Sequence, residues 1–338
     1  MCKLYVNGAA AVSVQDSFNQ PFTGEFIRHQ QLFVPAVEPP FAHYISPVAA
    51  RRMSRIIKRA VCVSQLALDQ AGISCPDGII FGTGLGCIED TEKFLSAMIA
   101  QEEQLMQPAF FVQSTHNTIA AQVAIRLACH GYNNTHMQRR LSFESALMDA
   151  QAVMLQHQAQ SILVGGHDEL TPKYFQLLHK AGYYSFDSQT GKGSFAGEGS
   201  CAFVLSQRPS AQSYAVLEGL SLRYTGLERP SVEALALPFL QALGVAPEAV
   251  GSLVTAYTDD AEGAAPYATL AQSALSGAQH LPFKALCGEY FTASAFGFWL
   301  AVHYLRHQNP SETSARPYIL LHNHSQGKHH SLILLRHV

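Results

Sequence analysis

Sixteen histidines give this chain many side chains that could bind a metal or transfer a proton, and four of them stand close together near the C-terminus. His322, His324, His329 and His330 could suggest a metal site, because imidazole is a common metal ligand. Such a site also needs its remaining ligands at suitable spacing, and no clear carboxylate or cysteine partner stands there. We therefore predict no metal site.

Two other short patterns could serve a cofactor or a proton transfer. Gly82-Thr83-Gly84-Leu85-Gly86 follows a predicted strand, as a dinucleotide-binding loop would, but its spacing is GxGxG and no acidic residue closing a second strand is evident. We interpret it as a tight turn and expect no cofactor. Asp259 and Asp260 beside Glu262 resemble a pair for acid–base work, but acidic groups in a loop are more often simply solvated.

The cysteines and the apolar runs indicate the compartment. The seven cysteines are scattered, odd in number and form no CxxC pair, which is typical of reduced thiols in a cytosol. Residues 1–6 lack the apolar run and the cleavage site of a signal peptide. The best spanning candidate, residues 291–305, is too short and carries His303. We expect a cytoplasmic protein with no membrane span.

The composition predicts a large core and an oligomeric surface. Of the 338 residues, 48% are hydrophobic and only 14% are charged, so much apolar surface can be buried and little charge is left for the exterior. A chain this poor in charge often hides surface in an oligomer. The formal net charge of -3 leaves no basic excess for phosphates, which argues against a nucleic-acid partner.

Hydrophobic periodicity predicts an alternation of strands and helices. Strands are predicted over residues 4–6, 79–83, 134–138, 161–165 and 202–205, and again over 215–219, 253–256, 318–323 and 331–335. Helices are predicted over residues 49–70, 118–128 and 145–156, and again over 232–243, 267–276 and 292–306. This alternation favours an α/β architecture of layers with covered sheets, and the second series resembles a repeat of the first.

We expect two halves, residues 1–207 and 208–338, packed as one unit. The junction is predicted over residues 207–213, which include Pro209. Residues 15–52 are predicted to be irregular, because five prolines interrupt the segment. Aromatic residues recur through it, which favours packing on the body or on a partner over disorder.

Between residues 117 and 166, a helix after Asn117 leads to a turn at Gly131, a strand, a second helix and a strand that ends at Gly165-Gly166. This order of elements resembles that of a β-ketoacyl synthase. Further likenesses lie in residues 64–73, 82–86 and 110–115, so the resemblance covers most of the chain from Met53 onward. It implies a thiolase-like, duplicated α/β/α layered fold. Residues 18–52 form a much shorter segment than the family's N-terminal region, so the resemblance does not extend to all of its cap and dimer surface.

The resemblance implies that the nucleophile is lost. In such enzymes a cysteine stands at the N-terminus of a buried helix, where unpaired N–H groups and the helix dipole favour the thiolate. In gap-free register that position is Arg140, whose guanidinium cannot be acylated as a thiolate is. A shift of four residues would place Glu144 there instead. In either register, no cysteine occurs between Cys129 and Cys201.

The two catalytic histidines of the family are also replaced. The first stands in an Asn-Ala-His-Gly-Thr run, and the matching position here is Tyr257, which could still donate a hydrogen bond but titrates near ~10. The second ends a Lys-Ser-x-x-Gly-His run, and here the run starts at Lys284 and ends at Glu289. A carboxylate at that position would repel the enolate formed by decarboxylation. Lys284 is kept, and we expect it to be structural. The family's glycine-rich gate is rewritten over residues 323–330, where Gly327 alone is kept.

Type II ketosynthases sometimes pair with a look-alike that lacks the cysteine, a chain-length factor, and this chain resembles one. The resemblance implies a non-catalytic subunit that forms a heterodimer with an active β-ketoacyl-ACP synthase and shapes its acyl tunnel, with aryl polyene and polyketide-type biosynthesis as the candidate setting. An acyl carrier protein is a further candidate partner. The acidic surface of such a carrier could be attracted by a basic helical region, which contains Arg51, Arg52, Arg55, Lys58 and Arg59. Simple solvation of these side chains at the protein surface is an equally good explanation.

The same resemblance places the tunnel and the interface. An aromatic ring in the tunnel wall would stop a growing chain by filling volume, with ordinary core aromatics as the alternative. The tunnel candidates are Met106, Gln107, Phe110, Phe111 and His116. In dimers of this fold the strand before the nucleophile pairs across the two-fold axis, and alternation along it is compatible with an interface. The interface candidates are Tyr132, Asn134, His136 and Gln138.

If the three replaced positions still converge, a buried charge of either sign needs a partner. We therefore predict an ion pair between Arg140 and Glu289, with Tyr257 hydrogen-bonded to it, filling the vacated site.

Two alternatives to the non-catalytic subunit stay open. One is an enzyme with altered acyl-transfer or hydrolase chemistry that uses Ser142 or Ser145, for which no histidine base is visible. The other is a homodimer that binds acyl chains without turning them over.

Overall fold

The computed structural model describes residues 3–104, 108–187, 189–190, 192–307 and 315–338. The strands are β1 (Leu4–Val12), β2 (Gly78–Gly82), β3 (Tyr132–His136), β4 (Ser161–Asp168), β5 (Ser185–Asp187), β6 (Lys192–Ser194), β7 (Gly199–Ser206), β8 (Ala215–Tyr224), β9 (Val250–Thr255), β10 (Gln279–Pro282), β11 (Tyr318–Ser325) and β12 (His329–Arg336). The helices are α1 (Phe41–Tyr44), α2 (Pro47–Ala50), α3 (Arg55–Ala71), α4 (Ile88–Ala100), α5 (Pro108–Ser114), α6 (Thr118–Leu127), α7 (Ser142–Leu155), α8 (Pro172–Lys180), α9 (Val232–Ala242), α10 (Ala261–Ala264), α11 (Lys284–Cys287) and α12 (Ala293–His307).

Ten of these strands form one sheet, in the order β10-β9-β11-β12-β8-β1-β7-β4-β2-β3. The order is the same pattern used twice. In each set of five, the first strand pairs antiparallel with the fifth, the fifth antiparallel with the fourth, and the fourth, second and third are parallel. The two first strands, β1 and β8, pair antiparallel and join the sets. The predicted α/β fold with a duplicated, layered architecture is confirmed.

Alternating side chains of the strands build a core on each face of the sheet. On β2, Ile80 faces a central cluster that contains α7 and α12, whereas Ile79 and Phe81 face α3 and α6. Helix α9 covers the second set on its outer face. Helices α7 and α12 are therefore the buried middle layer. Throughout the ranges described here, no helix is long and apolar enough to cross a membrane.

Some elements differ from the sequence prediction. The helix predicted over residues 267–276 is wrong: short 3-10 turns occur there instead. The Tyr267 hydroxyl is held by His322, and the Ser273 hydroxyl donates to the Leu270 carbonyl, and these contacts outweigh the local helix propensity. The sequence pattern did not predict strand β10, because this strand is polar and ends in Pro282. A proline is tolerated there because β10 lies at the edge of the sheet.

The segment over residues 15–52 is irregular apart from α1, α2 and a bridge between Phe33 and Ala196. It packs on the body through aromatic rings, since the Phe22 ring lies edge-on to Trp299 of α12 at 5.7 Å. The loop after β2 is a tight turn. Its Gly84 and Leu85 amides both donate to the buried Asp168 carboxylate, at 2.9 and 3.1 Å.

Arg59 does not belong to an exposed basic surface. Its side chain is fully buried and donates to Glu38 and to the equally buried Glu198. Burial disfavours ionisation of Glu198, but the charge and hydrogen bonds of Arg59 outweigh burial and hold the pKa of Glu198 below its usual value. The suggestion that Arg59 attracts an acidic partner is therefore wrong. Its charge is used inside the protein, whereas Arg51 and Arg52 are exposed.

We expect Arg59→Met to lower the free energy of unfolding by about 3 kcal/mol or more, because it leaves the Glu198 carboxylate buried without its cation. Urea unfolding followed by circular dichroism measures the change. Arg51→Met, which removes an exposed charge from the same region, should stay within about 0.5 kcal/mol of wild type. Equal effects of the two substitutions would contradict a structural role for the buried charge.

Candidate functional site

Arg140 stands where strand β3 leads into the buried helix α7. It lies in a 3-10 turn, Arg139–Leu141, directly before α7 begins. The side-chain amide of Asn323 in β11 donates to the Arg140 carbonyl at 3.0 Å and to the buried Glu144 carboxylate at 2.8 Å. Strand β11 of the second set therefore fixes the start of a helix that lies between β3 and β4 of the first set.

Glu289 and Lys284 lie on the segment that precedes α12. Helix α11 begins at Lys284, and Gly288 follows it with a φ of 77°. A Cβ at Gly288 would stand 2.7 Å from the Gly197 nitrogen, so only glycine fits there without strain and obstruction. The Glu289 amide donates to the Phe195 carbonyl at 2.8 Å. This backbone path fixes where the Glu289 side chain begins.

The carboxylate of Glu289 is held between two cations. Its Oε1 is 3.2 Å from Arg140 Nε, and its Oε2 is 2.8 Å from Lys284 Nζ. The Arg140 contact has the distance of an ion pair without the alignment of a hydrogen bond. The guanidinium also lies over the Tyr183 ring, 5.8 Å from its centre. The predicted ion pair is confirmed, and Lys284 is its second cation. We call these three residues the Glu289 ion cluster.

The charges decide the protonation state of the Glu289 ion cluster. Burial by itself disfavours the charged carboxylate, but the positive charges of Arg140 and Lys284 and the hydrogen bond from Lys284 outweigh it, so the pKa of Glu289 lies below its usual value. The carboxylate is therefore ionised at neutral pH. A nearby carboxylate, that of Asp260, acts in the opposite direction.

Tyr257 does not join this cluster. Its hydroxyl donates to Asp259 at 2.8 Å, and its ring packs edge-on against Tyr267 and His280. The predicted hydrogen bond from Tyr257 to the ion pair is therefore wrong. Asp259, two residues further along the same loop, offers a charged acceptor within reach.

A cavity of about 160 Å³ is lined by the Glu289 ion cluster, Tyr183, Asp260 and His324. His324 is 4% exposed, and neither of its ring nitrogens has a hydrogen-bond partner. Burial, and then the charge of Lys284, lowers the pKa of His324 well below its usual value, so the ring is neutral. The only sequence signal for His324 was its place among the clustered histidines.

The other clustered histidines are structural. His322 is buried between the Tyr267 hydroxyl at 2.7 Å and the His330 ring at 3.1 Å, and His329 lies against the Tyr224 ring. In the described part of the chain, no group of three metal-binding side chains is arranged to hold an ion.

Among the acidic residues after β9, Asp260 has a structural role. Asp260 caps α10 by accepting the Glu262 and Gly263 amides, and it faces the cavity.

A family model for the N-terminal domain of β-ketoacyl synthases matches residues 27–198, just over half of the chain. The chain belongs to the β-ketoacyl synthase family. Among curated proteins, 3-oxoacyl-[acyl-carrier-protein] synthase 2 of Synechocystis sp. is 24% identical over 180 residues, which are 48% of this chain and 43% of that protein. The chain therefore matches less than half the length of this relative.

Solved ketosynthase structures match the whole fold. The ishigamide ketosynthase/chain length factor structure has a TM-score of 0.82 at 20% identity and covers 99% of both chains. A ketosynthase in complex with its chain length factor from Xenorhabdus doucetiae has a TM-score of 0.77 at 15% identity over 99% of this chain and 98% of that one. The structure of a type II polyketide acyl-carrier protein in complex with its ketosynthase has a TM-score of 0.79 at 14% identity and covers 100% of both chains. At these identities the likeness concerns the thiolase-like fold.

The predicted interface residues lie on and beside the edge strand of this ketosynthase-like sheet. Tyr132, Asn134 and His136 of β3 all reach Asp149 of α7, at 3.2, 2.9 and 2.9 Å. Gln138 follows the strand and is exposed. The outer edge of β3 has no neighbouring strand among the described residues.

The predicted tunnel residues are only partly described. Met106 and Gln107 lie outside the described residues, and for Phe110 only its place in α5 is described. Phe111 is 58% exposed, with its ring 5.7 Å from that of Phe94. His116 lies between α5 and α6, against Gly86.

The two serines near Arg140 lack a general base. The Ser142 hydroxyl is buried and accepts the Gln138 amide at 2.9 Å, with the Thr83 and Arg139 carbonyls as acceptors. Ser145 lines a neighbouring cavity of about 430 Å³. Within the ranges described, no histidine nitrogen is hydrogen-bonded to either serine, whereas a hydrolase nucleophile is activated by such a base.

We expect Glu289→Gln to destabilise the protein by about 3 kcal/mol at neutral pH, because the amide leaves Arg140 and Lys284 without their anion. Since the folded-state pKa of Glu289 is depressed, this contribution is present above the unfolded pKa of about 4.5 and is lost as pH falls through the folded value. Urea unfolding of both proteins across this pH range measures the difference.

The matched control is Glu262→Gln, an exposed carboxylate of the same cavity, which should change stability by less than about 0.5 kcal/mol. A gap between wild type and Glu289→Gln that stayed constant into acid would show that Glu289 is not the titrating group.

Proposed function

We propose that this protein is a catalytically silent, ketosynthase-like subunit of the chain-length-factor type. In this proposal it forms a heterodimer with an active β-ketoacyl-ACP synthase and shapes the acyl tunnel of that partner. The single observation that carries the proposal is the Glu289 ion cluster, which lies at the start of the buried helix α7. A condensing enzyme of this family would hold its thiolate and histidines there.

The chemistry of the cluster opposes condensation. Arg140 offers no nucleophile, because a guanidinium keeps its proton under all conditions in a protein. The ionised Glu289 would repel an enolate instead of stabilising it. His324 is the one imidazole that lines the small cavity among the described residues, and it is neutral. Both requirements of the reaction, acylation and decarboxylation, therefore lack a group in this site.

The edge strand β3 supports a partner at that end of the sheet. A strand edge presents unpaired N–H and C=O groups that another chain can complete. Large apolar side chains are exposed on β3, directly after it, on the helices α6 and α7 that pack on it, and on α5, which contacts α6. Such exposure is expected for a surface that a partner covers. These residues are Phe111, Val112, Ile125, Tyr132, Met137, Met148 and Leu155.

The tunnel part of the proposal rests on helix α5. Phe111 and Val112 are exposed there although both are apolar, and α5 contacts α6, which in turn packs on β3. In a heterodimer, aromatic side chains from this helix would fill volume at the end of the partner's tunnel and so limit the length of the acyl chain. Aryl polyene and other polyketide-type pathways are the proposed setting.

An acyl carrier protein is proposed as a second partner. Arg51, Arg52, Arg55 and Lys58 line a wide surface cavity of about 1070 Å³ beside α3. Its wall also contains Glu89 and Glu92, so the charge is mixed. Electrostatic attraction of an acidic carrier is therefore expected to be weak and sensitive to salt.

Co-expression with an active β-ketoacyl-ACP synthase as the candidate partner should yield a one-to-one complex, whereas the chain alone should be poorly soluble because its β3 flank is exposed. Size-exclusion chromatography with light scattering measures the stoichiometry. In the complex, an acyl-thioester probe should label the partner and leave this chain unlabelled. Covalent labelling of this chain, or a stable homodimer on its own, would refute the proposal.

Tyr132→Arg should weaken the complex by at least about tenfold, because it places a charge on the paired edge. Arginine can still donate to Asp149, so β3 should stay folded. Tyr224→Arg is the matched control: Tyr224 is 69% exposed and lies at the end of β8. Surface plasmon resonance compares the two variants, and equal losses would exclude β3 as the interface.

A further inference from the structure

Cys75 and Cys129 bring two thiols to one point on the protein surface. The Sγ of Cys75 lies 3.4 Å from the Pro76 carbonyl oxygen, and the Sγ of Cys129 lies 3.3 Å from the same oxygen. Cys75 is exposed and Cys129 is half-buried. One acceptor atom thus holds both sulfur atoms on the same side of the chain.

The strand register explains this proximity. Gly78 of β2 pairs with Tyr132 of β3 in a parallel ladder, and an offset of 54 positions separates them. The same offset of 54 separates Cys75 from Cys129, three residues before the ladder begins. Neighbouring strands run about 4.8 Å apart, which falls within the Cα separations that a disulfide bridges.

The backbones stay close ahead of the ladder. A Cβ at Gly131 would stand only 1.9 Å from the Asp77 carbonyl oxygen, so the two segments touch between the ladder and the cysteines. Glycine at this position permits the approach. The two thiols are therefore held opposite each other by the fold and not by a flexible loop.

We propose that Cys75 and Cys129 are a reversible disulfide-forming pair that responds to a small-molecule disulfide of the glutathione type. The Cys75 thiolate attacks one sulfur of the small disulfide, forms a mixed disulfide and releases one thiol. The Cys129 thiolate then attacks the Cys75 sulfur, forms the internal disulfide and releases the second thiol. Two protein thiols are oxidised, and one small disulfide is reduced to two thiols.

Exposure makes Cys75 the attacking residue and Cys129 the resolving one. The remaining described cysteines, Cys62, Cys87, Cys201 and Cys287, are buried and stay unreactive in the folded protein. Burial, and then the neighbouring Cys129, raises the pKa of the Cys75 thiol. The reaction is therefore slow at neutral pH and accelerates as the pH rises.

Treatment of the full chain with oxidised glutathione, followed by alkylation and peptide mass mapping, tests the pair. We expect a cross-linked peptide joining Cys75 and Cys129, lighter than the sum of its reduced parts by two hydrogen atoms, and its loss on reduction. The Cys129→Ser variant should accumulate glutathione on Cys75. The Cys75→Ser variant should be modified at least about tenfold more slowly.

Serine matches cysteine in size and can still donate to the Pro76 carbonyl, so both variants should fold. Cys201 provides the internal check, since it should be alkylated only after unfolding. Wild-type protein that keeps glutathione on Cys75, or that joins Cys75 to Cys2 or to a second chain, would overturn the proposal.

Discussion

The carboxylate of Glu289 connects two parts of the protein that are far apart in sequence. It lies between Arg140, at the start of α7, and Lys284, at the start of α11. Because α7 and α12 form the buried middle layer, this contact ties the entrance of one central helix to the segment that leads into the other. A buried carboxylate needs such cations, and buried cations need such a carboxylate.

The same principle recurs elsewhere in the interior. Glu198 is paired with Arg59, Asp168 accepts the amides of the loop after β2, and Glu144 accepts from Asn323 and from Ser331. Each of these buried carboxylates holds a loop or a helix start in place. Only 14% of the residues are charged, and several of these are buried. Large apolar side chains are exposed around β3.

The Glu289 ion cluster has a balance of charge that differs from what a condensing site requires. A catalytic centre of this family needs a nucleophile and donors aimed at a developing anion. This centre instead contains an anion that is already neutralised. In the proposed role, such an arrangement would preserve the shape of the site at the start of α7 without supplying a nucleophile.

Particular elements show how far sequence reasoning reached. The alternation of strands and helices and the duplication were predictable, because each depends on patterns of residue type along the chain. The approach of Arg140 to Glu289 was predicted from the family resemblance, because a buried charge needs a partner. Helix α8 was missed although Thr171 and Pro172 are a clear start signal. Strand β1 extends to Val12 through an alanine run with low strand propensity, because burial between β7 and the helices decides its conformation.

What the sequence by itself determined is the chemical character of the side chains that the family resemblance aligns with the catalytic positions: a guanidinium at Arg140 and a carboxylate at Glu289. Residue identity alone fixes that reactivity. Only the tertiary structure decided which further groups surround them. It brought Lys284 and the neutral His324 to Glu289, and it turned Tyr257 toward Asp259. The reason is that a hydrogen bond forms with an acceptor that lies within reach in the folded chain. For Tyr257 that acceptor is Asp259, and not the ion pair of Arg140 and Glu289 to which the family resemblance had assigned it.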